Sequence, residues 1–360
     1  MATTRTPARS SLRSRARRFV ELATTPLVPS DFWEVLDPLR GGANPRGRIV
    51  AVRPETRDAA TLVIRPGRGW AGHTAGQYVR LGVDVDGVRQ WRSYSLTSPP
   101  RPDGTITVTV KAVPDGVVSS FLVRRAAVGT LVHLDQAQGD FTLPLVRPAK
   151  ALFVTAGSGI TPVVGMLRDG AGGLDDVVLV HSAPRREDVI FGAELRGLAE
   201  RGGLRLVERH TATEGRITPE QLAELVPDMT SRQTWACGPN DLLDALRETY
   251  DAAGRGDRLR TERFRPAVVA VGEGGTVTFA DSAVTADADG ATSLLDTGEA
   301  NGVLMPSGCR MGICFGCVIP LREGSVRDLR NGAVTTAVAG DDIPVQTCVS
   351  AAAGPCRLGI

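Results

Sequence analysis

Five of the six cysteines fall in the last 52 residues: Cys309, Cys314, Cys317, Cys348 and Cys356. The run reads Cys309-Arg-Met-Gly-Ile-Cys314-Phe-Gly-Cys317, and Cys348 follows after 30 further residues. Thiolates at C-x4-C-x2-C…C spacing suit a [2Fe–2S] cluster, with three ligands from one tight loop and the fourth from elsewhere. Gly308, Gly312 and Gly316 permit the positive φ and close backbone approach that let amide N–H groups face the sulfurs. A disulfide framework belongs to small secreted chains. A zinc site usually shows paired C-x2-4-C knuckles, and one such pair is present here. Cys356 competes for the fourth position. Pro344–Ser350 reads as a strand delivering its cysteine, which favours Cys348.

A second set of residues suits a flavin nucleotide. In Arg92-Ser-Tyr94-Ser95, Arg92 offers charge-assisted bonds to a phosphate. Tyr94 offers a flat face and a hydroxyl, and Ser95 a hydrogen bond to the reactive edge of the ring. Upstream stands Gly76-Gln77-Tyr78. Downstream, Gly116-Val117-Val118-Ser119 opens a helix whose N–H groups suit a pyrophosphate. A third set suits a pyridine nucleotide. The buried strand Ala151–Thr155 runs into Gly157-Ser-Gly159-Ile-Thr161-Pro162, a glycine loop with proline in the first turn of a helix. Cys237-Gly238-Pro239 ends another strand. After the strand Asp176–Ser182, the chain offers Ser182, Arg185 and Arg186 where sheets that prefer NAD place an acid. These residues suit a 2′-phosphate. The alternative is a solvated loop, in a chain where Arg outnumbers Lys 40 to 2.

The R-x-Y-S run, placed between Gly-Gln-Tyr and Gly-x-x-Ser, resembles the signature of the ferredoxin–NADP reductase superfamily. The G-x-G-x-x-P loop and the Cys-Gly-Pro at a strand end are similar to forms found there. Residues 268–360 resemble a plant-type ferredoxin domain. Some relatives with this domain order bind FMN, but the Gly-x-x-Ser helix start suits the longer dinucleotide and favours FAD in the first unit. The resemblance puts Cys237 beside the nicotinamide and leaves Ser95, Cys237 and Glu262 as the catalytic candidates, Glu262 as a proton-relay acid. In relatives the chain ends near an aromatic that covers the flavin. Phe264 stands there, but this chain continues. The segment Thr25–Leu39 resembles the leading part of actinobacterial ferredoxin reductases that serve fatty-acyl desaturases.

Three kinds of fold must position these groups. Six short alternating runs, from Arg48–Arg53 to Thr130–Leu134, predict an antiparallel β-barrel. Strands alternating with helices over 149–265 predict an α/β doubly wound parallel sheet. The strand Gly275–Ala280 and the helix Ala291–Asn301 belong to an α+β β-grasp unit. The expected division is a basic tail and leading segment (1–45), an FAD barrel (46–147), an NAD(P) domain (148–266) and a [2Fe–2S] domain (267–360).

Composition excludes other classes. No apolar run approaches the ~20 residues of a membrane span. A net charge of +2 and 4% aromatics disfavour nucleic acid as a partner. The first 20 residues carry six arginines and no acid, a solvated arm or a weak contact with an anionic membrane surface. The four histidines are scattered singly and read as structural. The expectation is a cytoplasmic monomer, or one peripheral at the inner membrane face. It passes electrons from NADPH, rather than NADH, through FAD and a [2Fe–2S] cluster to a terminal iron oxygenase or fatty-acyl desaturase. The competing reading is a redox-sensing binding protein.

Overall fold

The computed structural model describes residues 39, 45–85, 87–114, 116–170, 173–264 and 271–360. The Arg-rich tail, most of the leading segment and the expected boundary at 266/267 lie outside the described residues.

Strands β1 (Arg46–Thr56), β2 (Ala59–Pro66), β3 (Tyr78–Val85), β4 (Val88–Ser95), β5 (Ile106–Lys111) and β6 (Leu131–Leu134) form one antiparallel sheet, ordered β4-β3-β6-β1-β2-β5. A bridge between Leu96 and Val108 joins the end of β4 to β5 and closes the curl into a barrel. Period-two alternation sends Leu62, Ile64, Val79, Leu81, Val83, Val108 and Val110 inward. Helix α1 (Val117–Arg124) plugs one side with Val118 and Leu122.

The second unit is a parallel sheet in the order β11-β10-β7-β8-β9. Its strands are β7 (Lys150–Ala156), β8 (Asp176–Ala183), β9 (Arg205–His210), β10 (Gln233–Cys237) and β11 (Leu259–Glu262). Both faces are covered, as the continuous apolar strands require. Phe153 faces α2 (Ile160–Gly170) and α3 (Gly192–Glu200). Leu152 and Val154 face α4 (Pro219–Leu225) and α5 (Asn240–Ala252). Thr218 and Gln221 form a capping box at the start of α4, with Pro219 in its first turn. A methyl at Gly165 in α2 would press on the Leu96 carbonyl, so that glycine lets the helix seat against the barrel.

The third unit has the order β13-β12-β17-β14-β15, with β16 beside β14. Its strands are β12 (Gly275–Phe279), β13 (Val284–Ala288), β14 (Val318–Asp328), β15 (Val334–Ala337), β16 (Ile343–Gln346) and β17 (Ser350–Leu358). Helix α6 (Leu294–Ala300), capped by Ser293, buries Leu294 and Leu295 in a core with Val277 and Phe279. The strand expected over Pro344–Ser350 stops at Gln346, so Cys348 lies in the turn that leads into β17. Thr347 makes the last cross-strand contact: in register with the β14–β16 pairing, its N–H and its Oγ1 both donate to the Cys317 carbonyl, at 3.2 and 2.9 Å, and the chain turns after it.

The N-terminal edge of the parallel sheet carries a charge cluster. Buried Arg232 donates to both oxygens of Asp176 at 2.8 Å and to Asp228 at 2.8 Å, and Lys150 reaches Asp228 at 2.8 Å. Hydrogen bonds from Arg232 and Lys150 hold the Asp228 carboxyl down from 3.8 to about 2. That stabilisation is complete above 3.8 and is lost as pH falls toward 2. Asp228→Asn should therefore cost about 1 kcal/mol or less at neutral pH, the side chain being partly exposed. Urea unfolding should show the variant and the wild type converging as the solution is acidified through that window.

Candidate functional site

The loop between α6 and β14 carries Cys309, Cys314 and Cys317, and the turn before β17 carries Cys348. Arg310, Gly312 and Phe315 hold φ of 59°, 72° and 56°. These left-handed positions wind the loop so that its amides face its sulfurs. Met311 N donates to Cys309 Sγ at 3.3 Å, and Cys309 N and Gly316 N donate to Cys314 Sγ at 3.1 and 3.4 Å. Gly308 lies so near Cys314 Sγ that a Cβ would strike it. The thiols associate as two pairs, Cys309 with Cys314 and Cys317 with Cys348. Among the described residues no three His, Cys, Asp or Glu side chains converge as for a single ion. Two pairs, each with amide donors around it, fit a group with two irons. Cys356 stands apart on β17, opposite Gly324 and Val277. Burial pushes its thiol up to about 11, as for a core residue.

Against this loop opens a cavity of about 1280 Å³. The barrel lines it with Tyr78, Arg92, Tyr94 and Ser95, and the start of α1 adds Gly116, Val118 and Ser119. The cluster loop adds Cys309, Arg310, Met311 and Ile313. Burial and the like charge of Arg310 lower the Arg92 pKa. Arg92 brings a cation to the cavity wall, while Arg310 is paired there with Asp296 and Glu299. Ser93 Oγ and Ser95 Oγ are buried with no partner. Orphaned hydroxyls beside Arg92 are what a flavin nucleotide would satisfy, and the residues fit that group. Burial raises the Tyr94 phenol, which stays neutral. Gln77 and Val117 do not line the cavity. Gln77 closes the adjoining turn through Thr74 N and Gly139 O, at 2.8 and 3.2 Å. Ser119 Oγ is engaged by the Gly116 carbonyl and Val113 N, both at 3.2 Å.

A second groove, of about 690 Å³, lies at the C-terminal edge of the parallel sheet, where such sheets hold ligands. Gly157, Gly159, Gly238 and Pro239 form its floor, and Ser158 and Phe264 line both cavities. Any Cβ at Gly159 would run into the Cys237 carbonyl, so the two loops meet only through glycine. Thr161 faces the first cavity. Thr155 and Pro162 sit behind the wall, Thr155 Oγ1 being 2.8 Å from His181 Nδ1. Cys237 is 1% exposed and lines neither cavity. Burial, then the Glu262 charge, pushes its thiol up.

Glu262, beside Cys237 in the sheet, does reach the first cavity. Its Oε2 is buried without a partner. Burial, then Asp140, raises its carboxyl to about 8. Ser182 lines the second groove, whereas Arg185 and Arg186 do not. Arg186 lies 3.9 Å from Glu208. The groove's basic residue is Arg216, paired with Asp241, with Thr211 and Thr218 nearby. Reading the sequence alone passed over Arg216. Its signal was position: it follows the end of β9, on the edge that carries ligands.

Models of three families match in order: an oxidoreductase FAD-binding domain over residues 57–143, an oxidoreductase NAD-binding domain over 153–248 and a 2Fe-2S iron-sulfur cluster binding domain over 277–353. The chain is 49% identical over 352 residues to an NADPH oxidoreductase of Mycobacterium tuberculosis, covering 96% of this chain and 92% of that protein. It is 30% identical to the ferredoxin reductase component of a 3-ketosteroid-9-alpha-monooxygenase of Mycolicibacterium smegmatis, covering 78% and 86%. The solved structure of phthalate dioxygenase reductase superposes with a TM-score of 0.60 at 21% identity, over 88% of this chain and 97% of that one.

Two outcomes follow from this geometry. Serine at Cys309, Cys314, Cys317 or Cys348 should abolish bound iron and its visible absorbance, while Cys356→Ser should keep both. A Cys356→Ser protein without iron, beside an iron-replete Cys348→Ser, would reverse the assignment. For Glu262, the raised carboxyl contributes stability that is complete below 4.5 and lost as pH rises through about 8. The melting temperature of the wild type should fall across that range. Glu262→Gln should flatten the fall, as a melting curve at each pH would record.

Proposed function

The chain belongs to the ferredoxin–NADP reductase superfamily, as a flavoprotein with a fused C-terminal plant-type [2Fe–2S] domain, and from that membership we propose that it takes electrons from NADPH and delivers them to a terminal iron oxygenase. The chain is an NAD(P)H-dependent oxidoreductase with FAD and a [2Fe–2S] cluster. The observation that carries the finer reading is the shared cavity, whose walls bring together Ser158, Thr161 and Glu262, the R-x-Y-S strand and Cys309. A sensing role would not require that continuity.

When bound, FAD would supply hydride acceptance and a [2Fe–2S] cluster would supply one-electron exchange. The chain's residues do the rest. Arg92 would hold a phosphate of FAD, with the amides at the start of α1. Ser95 Oγ orients the ring edge. Glu262 holds a proton on its buried carboxyl at neutral pH. Phe264, where the two cavities meet, is placed to cover the ring and would exclude water from it. Cys237 shapes the nicotinamide site from below, through its carbonyl against Gly159. Cys309, Cys314, Cys317 and Cys348 hold the irons.

In this reading the functional units are residues 46–147, 148–266 and 267–360. The names of the relatives support an oxygenase as acceptor. The segment Thr25–Leu39 is what supports a fatty-acyl desaturase, an acceptor of the same oxygen-activating chemistry. Among the described residues no helix is long and apolar enough to cross a membrane. The acceptor test is direct: the true partner accelerates NADPH consumption and yields coupled product, and a partner that leaves the rate unchanged is excluded.

The relative at 49% identity is named for NADPH, which supports that coenzyme here. Arg216 and Ser182 line the groove and suit the 2′-phosphate. Arg216 is exposed and shared with Asp241, which screens its contribution. Arg216→Ala should lower kcat/KM for NADPH by about tenfold, roughly one charge-assisted hydrogen bond, and leave NADH nearly unchanged. Arg185→Ala and Arg186→Ala should do less. Equal loss for both coenzymes in the Arg216 variant would remove it from 2′-phosphate recognition.

A further inference from the structure

One face of β3 points at both redox sites. Tyr78 and Arg80 are two residues apart and share that face. Tyr78 lines the flavin cavity, and its hydroxyl is pushed up by burial and by Cys309, Glu262 and Cys314 around it. Arg80 reaches across to the cluster loop of the third unit. A Cβ placed on Gly308 would lie 3.1 Å from Arg80 Nη2, and one on Gly316 would lie 3.7 Å away. Both glycines also crowd Cys314 Sγ. They leave the room that the guanidinium occupies, beside the Cys309–Cys314 pair.

The barrel holds Arg80 rigidly. Nη1 pairs with Asp135 at 2.9 Å, and Asp135 N donates to the Arg80 carbonyl at 3.0 Å. The guanidinium carbon sits 5.3 Å from the centre of the Trp91 ring. Trp91 in turn fills the space above Gly82, where a Cβ would be 2.9 Å from the ring. Arg80 Nε is buried with no partner. Of the other cations near the loop, Arg92 of the barrel faces Arg310, and Arg310 and Arg330 belong to the third unit itself. Arg310 is paired with Asp296 and Glu299. Arg330 donates to the Gly312 carbonyl at 3.1 Å and pairs with Asp328 at 2.6 Å. Arg80 is the barrel cation that sits beside Gly308, Gly316 and Cys314.

We propose that Arg80 is a positioning residue for electron transfer: it seats the cluster loop on the flavin barrel and lays a positive charge beside the Cys309–Cys314 pair that favours the reduced cluster. The proposal rests on the cofactor assignment above. Reduction adds one negative charge, and a fixed cation near it in a partly buried site stabilises that state. Net charge and hydrogen bonding around the sulfurs are the protein's levers on cluster potential. Here one lever belongs to another domain, so the cluster's potential depends on docking.

The test is a redox titration of the holoenzyme, followed through the visible absorbance of the cluster, with iron and FAD measured on each protein. Arg80→Gln should disfavour cluster reduction about tenfold, which for one electron is about 59 mV. Arg80→Lys, which keeps the charge, should recover most of that shift. An Arg80→Gln protein with full iron and FAD and an unchanged midpoint overturns the proposal and leaves the cofactor assignment standing. A wild type that binds FAD but no iron overturns both. If Arg80→Gln fails to retain its cluster, Asp135→Asn decides. Removing the opposing carboxylate should favour reduction, and an unshifted midpoint in that variant overturns the proposal.

Discussion

An electron crosses only a short gap, and that constraint orders the whole chain. A hydride acceptor and a one-electron donor must lie within a few side chains of one another, yet they are held by different folds. The structure meets this by letting the barrel and the third unit line one cavity: Tyr78, Arg92 and Ser95 on one side, Cys309, Met311 and Ile313 on the other. The parallel sheet closes the third side with Ser158, Thr161 and Glu262. The core of the third unit is separate, whereas Ala59 of β2, with Phe141 and Leu143, packs into the core of the parallel sheet.

Close approach of backbones is bought with glycine. Gly159 against the Cys237 carbonyl brings the two nucleotide loops together, and Gly308 makes room for Cys314 Sγ. Elsewhere in the sheet, a charge cluster is kept away from the chemistry. The Arg232, Asp176, Asp228 and Lys150 cluster sits at the N-terminal edge, while the groove opens at the C-terminal edge. Stability and ligand binding thus occupy opposite ends of the same strands.

Among the described residues, several buried polar atoms without partners lie at the two cavities. Ser93 Oγ, Ser95 Oγ and Glu262 Oε2 are buried and unsatisfied around the first cavity, and Ser182 Oγ is so beside the second. A buried orphan costs stability unless something completes it. Glu262 lessens the cost by holding its proton up to about pH 8.

Local order fixed much of this protein in advance. Period-two alternation located all six barrel strands, and the strands and helices of the nucleotide domain agree with the expected runs to within a few residues. The cysteine spacing placed Cys309, Cys314 and Cys317 in one loop, because that loop's geometry is set by its own glycines. Relations between distant segments lay beyond local pattern. Whether a residue faces a cavity depends on how strands from other parts of the chain pack against it. Cys237 and Thr155 lie behind the wall for that reason, and Arg185 and Arg186 fall outside the groove that Arg216 enters. Arg80 had no motif at all. Its place beside Cys314 arises only when a barrel strand and a loop more than 200 residues later meet in space.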